Sequence, residues 1–120
     1  LNQEAERTNL DLVRCTQLTF HFRNPGYSAE QGGVHPVEIR LVRGLDDWLF
    51  DYVTDFSYQG IGDYAELGKE LDFNFLDGEH TMLGWGPLRL AEARDLFALW
   101  QRNFIAYCWL ECFSVTVSGN

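Results

Sequence analysis

Residues 16–22, TQLTFHF, alternate strictly: Leu18, Phe20 and Phe22 fall on one side, Thr19 and His21 on the other. A period of two predicts a half-buried strand. The pattern stops at RNPGYSAEQGGVHP, where Pro25-Gly26, Gly32-Gly33 and Pro36 punctuate the longest irregular stretch of the chain. Long loops carry function more often than the elements they connect, so this segment is the first place to look for a site.

A hairpin follows in VEIRLVRGLDDWLFDYVTDFSY, residues 37–58, turning at Gly44-Leu45-Asp46-Asp47. A two- or four-residue loop sets Arg43 or Val42 against Trp48 or Leu49, and Arg40 opposite Asp51. Continued strictly, that register places Val37, Ile39, Leu41, Trp48, Phe50, Tyr52, Phe56 and Tyr58 on one face. Glu38, Arg40, Val42, Leu49, Asp51, Val53 and Asp55 take the other. GIGDYAELGKEL, residues 60–71, reads as a turn and a short helix or irregular link. DFNFLDGEHTML is a second hairpin about Asp77-Gly78, pairing Phe75 with His80 and Phe73 with Met82.

Over residues 88–110 the period changes. Ala93, Leu96, Phe97, Trp100, Phe104, Tyr107 and Cys108 recur at three- and four-residue steps, while Glu92, Arg94, Asp95, Gln101 and Arg102 lie elsewhere. That is an amphipathic helix, about 90–110. CFSVTVSGN then alternates as a last strand, 112–118. The expected fold class is α+β: a mainly antiparallel, twisted sheet of about six strands with the long helix on its aromatic face. One domain spans 1–120, with 1–15 a short helix or arm.

Composition narrows the function classes. The 120 residues are 46% hydrophobic and 15% aromatic, which suits a folded domain rich in sheet. Eighteen acids against nine Lys and Arg give a formal charge of −9. Such a chain is repelled by phosphate backbones and anionic membranes, so neither direct nucleic-acid binding nor membrane binding is expected. A protein partner with a basic face fits better; the simpler reading of the charge is solubility. Cys15, Cys108 and Cys112 lack the spacing of a disulfide framework or a zinc site, and reduced thiols are expected. No leader-like segment precedes the first strand and no apolar run could span a bilayer, so a cytoplasmic protein is expected.

Motifs for chemistry are weak. Gly62 and Gly68 have five residues between them, and Glu70 follows Lys69, so GIGDYAELGKE lacks the mechanics of a phosphate loop. His21, His35 and His80 sit on three separate elements without a nucleophile-elbow motif. Asp51 and Asp55, four apart on a strand, are separated by roughly 13 Å of rise. Paired carboxylates that cleave a glycosidic bond need about 5–9.5 Å. A cross-strand ion pair of Asp51 with Arg40 is the simpler reading, and Asp55 is left without an evident partner. Asp72, Asp77 and Glu79 lack the spacing of a calcium loop. No cofactor and no metal site is expected.

FRNPGYSAEQGGVHPVEIRL, WLFDYVTDFSYQG, ELDFNF and LFALWQRNFIAY together resemble a bacterial family, the domain of unknown function 2787, found in vibrios and often in mobile genomic islands. The resemblance covers about residues 18–118 and rests on Tyr27-Ser28, Gly32 to Ile39, Thr54 to Tyr58, and Trp100 with Asn103-Phe104. Ala65-Glu66-Leu67 departs from the family's Pro-Glu-Leu. The family's fold is similar to that of mitochondrial acidic matrix proteins, ring-shaped trimers that bind complement and other proteins. The resemblance implies a binding protein and a homo-oligomer, although a strand here follows the long helix.

Three functional expectations follow. The first is an acidic, non-enzymatic protein-interaction module that self-associates, with Trp85 and Trp109 as interface aromatics. The second is a hydrolase-like enzyme using His35 with Asp55 and Tyr58, on a surface that also holds Tyr27 and Glu38. The third is an acidic mimic of nucleic acid encoded on a mobile element, which requires a continuous acidic stripe.

Overall fold

The computed structural model describes residues 1–7, 11–60, 62–83 and 88–120. A six-residue helix, α1 (Asn2–Arg7), precedes β1 (Gln17–Arg23), β2 (Val37–Arg43), β3 (Trp48–Gln59), β4 (Glu66–Asn74), β5 (Glu79–Met82), β6 (Leu88–Arg89), α2 (Arg94–Trp109) and β7 (Ser114–Gly119). The strands form one seven-stranded antiparallel sheet in the order β6-β5-β4-β3-β2-β1-β7. The fold is therefore α+β. The chain walks outward from β1 to β6, and α2 carries it back across one face so that β7 can pair with β1.

The first hairpin turns where the sequence indicates, with Arg43 opposite Trp48 and Leu41 opposite Phe50. Arg43 also lies over the Trp48 ring, 4.4 Å from its centroid. The strict alternation then fails. A bulge at Asp51 sets Arg40 opposite Tyr52 rather than Asp51, and Ile39 opposite Val53. One extra residue reverses the parity of the strand. Val53 and Asp55 therefore join Val37 and Ile39 on the helix side, and Tyr52 turns to the side of Glu38 and Arg40. The bulge suits the chemistry of each residue. Val53 enters the core, 2% exposed. The Tyr52 hydroxyl reaches a carboxylate acceptor on Glu38. Asp51 still pairs with Arg40, Oδ2 to Nε 3.4 Å.

Two further corrections concern β4. Residues 66–74 are strand rather than helix or link; only Gly62–Tyr64 form a 3-10 turn. The second hairpin closes through a four-residue turn, so His80 faces Phe73 and Met82 faces Leu71, one pair further along than the two-residue loop predicts. A shift of two preserves the face of every residue, so the core positions are unchanged.

The core lies between the sheet and α2. Leu18, Phe20, Phe22, Val37, Ile39, Val53 and Phe73 are buried. Edge-to-face contacts of Phe22 with Phe104 and of Phe73 with Phe97, each with centroids 4.9 Å apart, hold the helix down. Such pairs contribute about 0.5–1.5 kcal/mol each beyond the area they bury. His80 is enclosed here too, stacked on Phe73 with Nδ1 3.0 Å from the Asp72 carbonyl. All three cysteines are free. No helix among the described residues is long and apolar enough to cross a membrane.

Candidate functional site

The long loop between β1 and β2 is an ordered device. Asn24 makes an Asx turn, its Oδ1 accepting from the Gly26 amide at 2.7 Å. Ser28 and Gly32 exchange backbone bonds across a small turn. Gly33 has φ +122°, a conformation that costs any residue with a Cβ. The following residues are delivered against β3, where the Phe56 amide donates to the Pro36 carbonyl at 2.9 Å. His35 is thereby held over Asp55.

Asp55 is 9% exposed and uses both carboxylate oxygens. His35 Nδ1 lies 2.7 Å from Oδ1, and Trp100 Nε1 donates to Oδ2 at 2.9 Å. A carboxylate only accepts, so Nδ1 carries the hydrogen, and in a neutral imidazole Nε2 is left as the acceptor. One carboxylate thus joins the loop, the sheet and α2. Two tyrosines brace the imidazole. Tyr27 meets it edge to face at 5.4 Å and stacks on Tyr58 at 5.3 Å. The Tyr58 amide donates to the Tyr27 hydroxyl at 3.0 Å.

A cavity of about 210 Å³ opens beside this group, lined by His35, Asp55, Trp100, Asn103 and Tyr107 among others. Among the described residues, its lining includes no serine, threonine or cysteine. The geometry orients an imidazole as triads do, but supplies no alcohol or thiol nucleophile for it to activate. Among the described residues, no cluster of His, Cys, Asp and Glu could hold a metal ion.

The sequence candidates therefore separate. His35, Asp55, Tyr27 and Tyr58 converge, although Tyr58 supports Tyr27 and does not line the cavity. Glu38 does not join them. It lies on the opposite face of the sheet, with Tyr52 donating to it and His21 Nδ1 3.2 Å from its Oε1. Trp85 lies outside the described residues, and Trp109 is 81% exposed. Sequence reading assigns Trp100 and Tyr107 to the core stripe of the helix and names Asn103 only among the residues that carry the family resemblance. The spacing of 100, 103 and 107 along one flank was the signal available for this wall.

Cys108 also stands on α2 but does not line this cavity. Burial pushes its pKa up, so at neutral pH it is held as the protonated thiol, the less reactive form.

Comparison with known proteins places the chain. A family described as "Protein of unknown function (DUF2787)" matches residues 1–118. Nothing among curated proteins matches. The structure is similar to that of the hypothetical protein VC0508 from the Vibrio cholerae VSP-II pathogenicity island, at 31% identity and a TM-score of 0.89. That match covers 99% of this chain and 85% of the other. It is also similar to the conserved hypothetical protein VC1805 from pathogenicity island VPI-2 of Vibrio cholerae O1 biovar eltor, described as sharing structural homology with the human P32 protein. Here identity is 38% and the TM-score 0.76, over 84% of this chain and 79% of that one. With the long helix and all of the sheet but Gly119 inside the matched region, the chain belongs to the DUF2787 family.

Proposed function

We propose that the chain is an acidic, non-enzymatic protein-interaction module that self-associates through the outward side of α2. The observation that carries this reading is the state of that helix. It is the longest helix in the fold, yet none of its residues is buried. Leu99, Ala106 and Leu110 are exposed, Leu110 at 73%, and their spacing of seven and four puts them on one stripe. A small residue between two leucines lets a second helix approach closely, and aliphatic stripes left in water are characteristic of contact surfaces. The likeness of VC1805 to human P32, a similarity stated for that protein, supports the same class.

The His35–Asp55 contact is the one observation favouring an enzyme, and the nucleophile-free lining argues against the hydrolase version. The acidic mimic is weakened by where the acids lie. On the open face of the sheet, Asp51 pairs with Arg40 and Asp72 accepts from Thr54 at 2.5 Å; elsewhere on β4, Glu70 accepts from Ser57 at 2.7 Å. Carboxylates engaged within the fold make a poor stand-in for a row of phosphates.

Sedimentation velocity at micromolar concentration tests the proposal. The wild type is expected to sediment as a dimer or larger species, and the double variant Leu99→Glu/Leu110→Glu as a monomer with an unchanged circular dichroism spectrum. A wild type that stays monomeric throughout, or a double variant that associates like the wild type, overturns it.

A further inference from the structure

The aromatic side of the sheet is covered unevenly. Phe97, Trp100 and Phe104 lie along one line, and beside them a cleft of about 780 Å³ remains between α2, α1 and β7. Interiors normally leave few voids larger than a water molecule, whereas pockets for small molecules occupy about 300–1,000 Å³. The cleft reaches down to Ile39 and Val53, which are 4% and 2% exposed. Val115 of β7 forms part of its wall. Its floor is apolar, and burying that surface favours an apolar guest.

Its edge has the opposite character. Gln3, Glu4, Gln101 and Glu111 stand there, and among the described residues no Lys, Arg or His side chain lines the cleft. A fatty carboxylate or a phosphate head would meet like charge on a chain of net charge −9. Glu111 adds a second observation. It ends α2 in a Schellman turn, its amide bonded to the Cys108 carbonyl at 3.1 Å and that of Cys112 to Tyr107 at 3.0 Å. Its φ is +57°, where glycine is the ordinary occupant, and a carboxylate at a helix C-terminus opposes the helix dipole. Two local rules are broken at one residue, and the result is a carboxylate at the mouth of the cleft. Departures of this kind gather at functional positions.

We propose that the cleft binds an amphiphile with a single aliphatic chain and a cationic head. The chain lies against Ile39, Val53 and Phe104, and the head sits beside Glu111. This inference uses the inner flank of α2 and does not rest on self-association through its outer stripe.

Isothermal titration calorimetry with three twelve-carbon surfactants, each below its micellar concentration, provides the test. Dodecyltrimethylammonium, dodecyl maltoside and dodecyl sulfate share a tail and differ in head charge. The full chain is expected to bind one dodecyltrimethylammonium, roughly tenfold more tightly than dodecyl sulfate, the preference that a carboxylate beside the head produces. Glu111→Gln is expected to reduce that preference several-fold and to leave dodecyl maltoside unchanged. Val115→Trp fills the cleft and abolishes binding of both; Ile105→Trp, from the helix side, is the alternative if that strand variant fails to fold. The same preference is expected in the Leu99→Glu/Leu110→Glu background. Absence of saturable binding, equal affinity for all three heads, or insensitivity to both Glu111→Gln and a folded filling variant overturns the proposal.

Discussion

Asp55 shows what a single carboxylate does when both oxygens are committed to the fold. Its acceptors serve an imidazole from the loop and an indole from α2. Asp55→Ala leaves two donors without an acceptor in a mostly buried place. The cost of such groups, about 1–3 kcal/mol each when water cannot replace the bond, predicts a loss of about 2–4 kcal/mol in urea denaturation. Asp55→Asn keeps one oxygen but turns its NH2 toward the other donor, so a smaller loss is expected. Equal, negligible losses in both would show that the carboxylate is not the bolt described here. The sequence set Asp55 with His35 as one candidate group, but its strict alternation put Asp55 on the face away from α2. Their link depends on which face of β3 Asp55 occupies, and a single bulge residue decides that.

The elements differ in how plainly they were written. β1, the first turn and α2 carry clean periods, and the structure follows them. β3 does not, because Trp48, Leu49, Phe50, Tyr52 and Val53 are all apolar enough to face either way. What resolves the ambiguity is tertiary: the polar partners Arg40 and Glu38 wait on the neighbouring strand. β4 was hidden for a related reason. Ala65-Glu66-Leu67 and Lys69-Glu70-Leu71 are good helix formers, and only pairing along the twelve-residue β3 draws them into the sheet. A Cβ on Gly68 would come within 2.7 Å of the Gln59 amide lying over it, so a larger residue there would displace that side chain. The open face yields a prediction at this scale. Burial, then the bond to Glu38, raises the Tyr52 phenol above its ordinary 10.0. The folded state therefore favours the neutral phenol. Its contribution is complete below pH 10 and is lost as the pH rises further through the folded-state pKa. Tyr52→Phe is expected to cost about 0.5–1.5 kcal/mol near neutrality, the worth of one hydrogen bond. Between about pH 9 and pH 11.5 its urea midpoint should fall less than that of the wild type. Parallel declines would remove the assignment.

At the scale of the whole molecule, net charge and apolar surface make opposing demands. Each copy carries −9, so two copies repel, and association through the proposed α2 stripe works against that repulsion. Screening separates the contributions, because the Debye length shrinks from about 20 Å at about 20 mM salt to roughly 6 Å at about 0.3 M. Apolar burial is untouched or strengthened by salt over this range. Self-association through the stripe is therefore expected to tighten as sodium chloride is raised, with a smaller dissociation constant by sedimentation equilibrium. An interface held by acids on a basic surface would weaken under the same change. The open face gives a reason to expect the first behaviour. Its acids Asp51, Glu38 and Asp72 are engaged with Arg40, Tyr52 and Thr54 of the same chain, leaving the −9 as a diffuse field rather than a docking pattern. A dissociation constant that rises with salt would move the contact off α2 and onto those carboxylates.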